Sequence, residues 1–228
     1  IKRHLEPLAI AANATQSDCA RLDIITVMLV ALRHYFASTP DLNARAVAAV
    51  LASLERRWAK VDQDIFILAV IFNPYLRTSC FADDSPFTVP MNIVQMAEAA
   101  FTRFYRTAPC DDFQTQLIDY LTLRGTWTAD AMKLKSQKQR AKASGVEVNL
   151  ITLWRLWTPI SRSSTAGDAS LPSSGTGQLA LLATRILSMV PNSAAVERIF
   201  SVFGFVHSKH RNRLSKAKVR KIVQVRTD

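Results

Sequence analysis

Between Pro191 and Ser215 the sequence places one carboxylate, Glu197, among a dense set of cations. Lys209, Arg211 and Arg213 follow in the stretch His207–Arg213, and Lys216 and Lys218 come directly after it. A Glu followed by Arg on a surface helix is usually just solvated, and the residue chemistry alone favours that reading of Glu197. The cations can neutralise a phosphodiester backbone and make binding salt-dependent. They can also anchor the segment on carboxylates and helix C-termini. His207 and His210 stand three apart with no Cys or acid close by to complete a metal site. No Gly-rich phosphate loop and no Ser nucleophile elbow occurs.

The elements that must position these residues are read as helices. Pro191 stops an apolar helix that runs from about Gln178 to Met189 through Leu179, Leu182, Ala183, Ile186 and Leu187. Asn192 or Ser193 caps the next helix, which turns Val196, Ile199, Phe200 and Phe203 inward and ends at Gly204. Ser215 caps a last helix with Val219, Ile222 and Val223 inward and Lys216, Lys218, Arg220 and Lys221 outward. The apolar residues Leu179, Leu182, Ile186, Ile199, Phe200, Phe203, Val219 and Ile222 are candidates for a self-association face.

Upstream, apolar stripes predict helices over 17–36, 43–60, 92–105 and 111–124. Ser17 is the expected cap of the first, with Asp18 in its first turn. The run Ile65–Phe72 fits a buried strand or a buried helix, and Asp62 and Asp64 before it favour the helix. Residues 77–90 form a loop whose Asp83 and Asp84 read as solvated turn residues rather than metal ligands. Lys133, Lys135, Lys138, Arg140 and Lys142 give a basic, exposed segment, helical if it is ordered. Trp154 and Trp157 mark the point where the chain re-enters a core, because Trp needs a large buried surface and an N–H partner. Residues 161–177, rich in Ser, Thr, Gly and Pro, read as a linker. The organisation expected is therefore a helical bundle over 1–129, a basic segment with the Trp pair and linker over 130–177, and a C-terminal unit over 178–228.

Charge follows the same division. The formal charge is +11, yet residues 1–129 carry 12 Lys/Arg against 13 Asp/Glu, and residues 130–228 carry 17 against 5. Such asymmetry points to a polyanion, most often nucleic acid, or to a solubilising face. With 49% apolar residues and only 6 Gly, the composition is that of a globular, mainly α protein. The longest apolar run is too short to span a membrane, so no membrane partner is expected. Cys19, Cys80 and Cys110 lack metal-type spacing and read as reduced thiols of an intracellular protein. The chain begins at Ile1 rather than Met, and the expectation is a piece of a longer protein.

The segment Leu179–Val225 resembles the C-terminal dimerisation region of hAT-superfamily DNA transposases. The resemblance rests on the apolar helix ending Ile186-Leu187-Ser188, on Pro191-Asn192-Ser193-Ala194-Ala195-Val196-Glu197-Arg198-Ile199-Phe200-Ser201, on Gly204, and on Arg211-Asn212-Arg213-Leu214-Ser215 before an amphipathic end. Ile67 to Arg77 is similar to a second family segment, with Asn73 where Asp is commoner. The resemblance implies a helical insertion-type bundle followed by the C-terminal helices of a ribonuclease H-like core. It implies that Glu197 is the third carboxylate of a metal site holding Mg2+ or Mn2+ in the complete enzyme, the other two being Asp residues N-terminal to the insertion. A metal-dependent strand-cleaving and strand-transferring parent, self-association, DNA as partner and a nuclear location follow as expectations. This chain alone would be inactive. The alternative is a non-catalytic basic helical DNA-binding or scaffold module derived from a transposon.

Overall fold

The run Ile65–Phe72 decides how the chain is built. In the computed structural model, which describes residues 2–17, 20–158 and 171–190, it is helix α4 (Gln63–Ile71). Ile65, Ile67, Leu68, Ala69, Val70 and Ile71 are all buried, so the helix is enclosed on every side rather than along one stripe. That explains why periodicity left helix and strand unresolved. Each such large side chain contributes roughly 1.5–3 kcal/mol by leaving water. Asp62 occupies the N-cap position, and its carboxylate pairs with Arg103 at 2.6 Å instead of capping.

Around α4 the described residues form only helices and turns, with no strand among them. Helices α1 (Lys2–Gln16), α2 (Leu22–Ser38) and α3 (Ala44–Trp58) precede it. Helices α5 (Pro90–Tyr105), α6 (Asp112–Leu121), α7 (Leu134–Ala143), α8 (Leu150–Arg155) and α9 (Gly175–Leu187) follow. The protein is mainly α, as expected. One core runs from Leu22 through α4, α5, α6 and α8 to Leu187, and a smaller cluster of Ala11, Leu32 and Phe36 joins α1 to α2 and α3.

Several boundaries differ from the sequence reading. Helix α2 starts at Leu22, not Ser17, because Arg21 is extended and spends its guanidinium on Asp23. Asp18 lies outside the described residues. Helix α3 begins as expected, with the Asn43 side chain accepting from the Ala46 N–H at 3.0 Å. Helix α1 lies ahead of the first helix expected from the sequence, and it contains Pro7. A proline inside a helix removes the donor for the carbonyl four residues earlier. Here that carbonyl, on Arg3, accepts from the Tyr35 hydroxyl at 3.0 Å, so α2 supplies the bond that Pro7 cannot. His4, unremarkable in the sequence, accepts from the Asn43 N–H at 3.1 Å and ties α1 to the start of α3.

The turn after α4 holds the helices together. Arg77 has φ of 51° and is 7% exposed. Its guanidinium donates to the carbonyls of Tyr120 and Trp127, the latter at 2.8 Å, and lies 4.3 Å over the Tyr120 ring. Burial lowers its pKa from the ordinary value, opposed by the neighbouring Tyr120. Burial likewise drives the Tyr120 phenol upward, and its hydroxyl donates to Ile71 O at 2.8 Å. Trp154 is fully buried and donates from Nε1 to Phe72 O at 2.8 Å, while Trp157 stacks on Trp127 at 5.3 Å. The Trp pair does mark a return to the core.

Candidate functional site

Of the candidate residues, Glu197, Ile199, Phe200, Phe203, Lys209, Arg211, Arg213, Lys216, Lys218, Val219 and Ile222 lie outside the described residues. Leu179, Leu182 and Ile186 lie within them, on α9. The start of α9 is built by a chain of specific contacts. Ser174 caps it, its side chain accepting from the Gly177 N–H at 3.2 Å. A Cβ on Gly175 would stand 2.5 Å from the Asp112 carbonyl carbon, so only glycine lets α9 come this close to α6. Gln178 is buried; its Oε1 accepts from the Cys110 N–H at 2.8 Å and its Nε2 donates to Pro172 O at 2.9 Å. Gln116 on α6 accepts from both Thr176 Oγ1, at 2.9 Å, and Trp127 Nε1, at 3.1 Å.

Past this anchor α9 runs through the middle of the core against α6 and α8. Leu179, Leu182 and Ile186 are each 0% exposed. The expectation of a self-association face through these three therefore meets a filled interior. Their apolar surface is spent on α6 and α8 of the same chain, which leaves none of it for a second copy in this packing. What sequence reading missed is Gly175, Thr176 and Gln178, placed in a linker or just after it. The Ser-x-x-Gly spacing at Ser174–Gly177 was a capping signal hidden in a Ser- and Gly-rich context.

The carboxylates among the described residues are occupied or scattered. Asp23 is 1% exposed, held by two Arg21 nitrogens at 3.0 Å and by Asn73 Nδ2 at 2.8 Å. Asp83 and Asp84 are exposed in their loop, and Asp111 and Asp112 are exposed at the start of α6. Among the described residues no group of three or more His, Cys, Asp or Glu could hold a metal ion. Cys80 and Cys110 are free thiols. A groove of about 510 Å3 is lined by Val27, Val30, Leu54, Trp58, Phe81 and Phe87, and the Arg33–Glu55 ion pair at 3.0 Å is its one charged feature. It offers mainly hydrophobic surface, with the Cys80 thiol and the hydroxyls of Thr26 and Ser85 at its lining. No helix among the described residues is long and apolar enough to cross a membrane.

The exposed charge lies elsewhere. Lys133, Lys135, Lys138, Arg140 and Lys142 are exposed on or beside α7, whose one buried residue is Leu134. The sequence reading of a basic, exposed, helical segment holds at this place.

Comparison with known families agrees with the organisation of α9. Residues 173–228 match the hAT family C-terminal dimerisation region. No curated protein and no solved structure matches the chain. The matched stretch begins at Ser173, beside the residue that caps α9, and takes in the whole helix. The last 56 residues of the chain are thus similar to the hAT family C-terminal dimerisation region, and α9, inside the matched stretch, is built into the chain's own core.

Proposed function

We propose that this chain is a self-associating part of a hAT-type DNA transposase. The observation that carries the reading is the match over residues 173–228, a region defined by dimerisation. Because Leu179, Leu182 and Ile186 are used inside the chain, the pairing face falls to the apolar residues Ile199, Phe200, Phe203, Val219 and Ile222. Lys209, Arg211, Arg213, Lys216 and Lys218 contact DNA phosphates, and Glu197 contributes one carboxylate to a three-carboxylate centre of the complete enzyme. Glu197 would hold Mg2+ or Mn2+ there together with the enzyme's other two carboxylates, and the metal would supply activation of a water or 3′-hydroxyl against a phosphodiester. The protein works in the nucleus, where its DNA is. The exposed cations of α7 favour a second reading, a basic helical DNA-binding module without catalysis, which shares every element of the first except the role of Glu197.

Sedimentation of the chain over a range of concentrations up to tens of micromolar tests the shared core of both readings. A mass that rises from one copy towards two is expected. A strict monomer throughout overturns self-association, since interfaces that matter at cellular levels assemble in this range.

A further inference from the structure

Helix α7 is anomalous as a helix. It is ten residues long, and only Leu134 is buried. A helix polar nearly all round is ordinarily stabilised by opposite charges one turn apart, or it bridges to something else. This one has no opposite charges: between Asp130 and Glu147 every charged residue is a cation. Its first turn holds no acid, its last turn holds Arg140 and Lys142, and Lys135 sits near the end where the helix dipole disfavours positive charge. Lys135 and Lys138, and Lys138 and Lys142, are like-charge neighbours at spacings that destabilise an isolated helix. None of these cations takes part in an ion pair among the described residues.

The helix is nevertheless firmly seated at its beginning. Met132 is 1% exposed, and its sulfur accepts from the buried Arg77 at 3.3 Å. The Tyr75 hydroxyl donates to Leu134 O at 2.9 Å. The chain therefore fixes the start of α7 on the core and holds its cations out in water. At 3.6 residues per turn, Lys135, Lys138 and Lys142 fall within about 60° of arc and span about 10 Å along the axis. That is a single stripe.

We infer that the Lys135–Lys138–Lys142 stripe of α7 is a docking surface for the phosphate backbone of double-stranded DNA, separate from the cations that follow Glu197. The inference rests on the reading of DNA as this protein's partner. The chemistry of the face selects among polyanions. A membrane-surface helix needs an apolar face to insert, and no large apolar side chain of α7 is exposed. A protein partner would be met through aromatic or apolar anchors, with lysine depleted at the centre, and α7 offers the reverse. Closely spaced, hydrated ammonium groups on a rigid helix suit phosphates contacted without base readout.

The test measures binding of the full chain to a labelled mixed-sequence DNA duplex across a salt series. Three variants are compared with the unaltered chain: Lys135→Gln/Lys138→Gln/Lys142→Gln, the charge-matched Arg45→Gln/Arg56→Gln/Lys60→Gln, and Lys209→Gln/Arg211→Gln/Arg213→Gln. Residues 45, 56, 60, 135, 138 and 142 are all exposed, so unchanged circular dichroism and melting are expected for the first two variants. The α7 variant should lower the slope of log affinity against log salt by about 2.7, at about 0.9 per lost phosphate contact. The matched variant should leave it within about one contact's worth of the original. A duplex bound with unchanged slope by the α7 variant overturns this inference and leaves the C-terminal cations standing. Equal losses from the α7 and matched variants also overturn it, by showing a net-charge effect alone. No duplex binding by the unaltered chain at low salt overturns the DNA reading and this inference together. Binding only to phosphatidylserine vesicles through the same three lysines overturns the choice of DNA.

Discussion

Asn73 shows how a single residue can be explained from its surroundings. The family segment that Ile67–Arg77 resembles more often carries Asp at this place, so Asn73 weakens that likeness when only the sequence is in view. In the structure the Asn73 amide donates to the buried carboxylate of Asp23 at 2.8 Å, while its Oδ1 accepts from the Tyr75 N–H at 3.0 Å. An Asp here would keep the second bond and set two carboxylates against each other in place of the first. Asn73→Asp is therefore expected to lower stability at pH 7 by roughly 2 kcal/mol or more, because a buried like-charge pair holds one carboxyl protonated or repels. The pair's upper pKa would be raised in the folded state above the unfolded value near 3.9. The folded variant then binds more protons than the unfolded one, so its stability falls as pH rises through that interval and recovers on acidification. Urea unfolding at pH 4.5 and pH 7.5 checks it. A deficit relative to the unaltered chain that does not shrink at the lower pH would refute the like-charge account.

At the scale of elements, what was legible was the inward face. Leu179, Leu182, Ala183, Ile186 and Leu187 of α9 were marked by spacing and all are buried, whereas the stripes of α5 and α6 also take in Met96, Phe104 and Leu121, which are only partly covered. What covers each face was not legible. The stripe on α9 suits a second copy or the chain's own helices equally well, and only the backbone approach at Gly175 shows which neighbour it has. Helix α1 was missed because its order comes from Tyr35 and Asn43, far along the chain, and not from its own pattern. The same reasoning gives Gly175 a role that a position in a linker would not have. In Gly175→Ala the new methyl meets the Asp112 backbone, which cannot swing aside as a side chain could. The variant should lose about 1–3 kcal/mol in denaturant unfolding, the usual cost of overpacking. Gly145, with φ of 65° and open space about it, is the useful contrast: a substitution there strains the backbone but moves no helix.

For the whole molecule, the division read from the sequence and the packing describe different things. Charge and composition do change near residue 130, yet the core runs across that point: Trp127, Met132, Leu150 and Trp154 share one interior with α4 and α6. The family match covers residues 173–228, and α9 inside it is the helix against which α6 and α8 bury their apolar sides. Helix α9, within the matched stretch, is therefore also a folding requirement of the helices before it. A chain ended at Pro172 keeps the entropic cost of ordering α6 and α8 and loses the surface that covers them. Leu179, Leu182, Ile186 and Leu187 alone represent roughly 1.5–3 kcal/mol each, which together approaches the 5–15 kcal/mol that holds a typical domain folded. The shortened chain should lose its cooperative thermal transition and show red-shifted Trp emission, because Trp127 and Trp154, both 0% exposed in the intact core, gain water. A chain ended at Val190 keeps every contact described for α9 and serves as the reference. If the chain ended at Pro172 melts as sharply as that reference with unshifted emission, α9 is an appendage and not a member of the core.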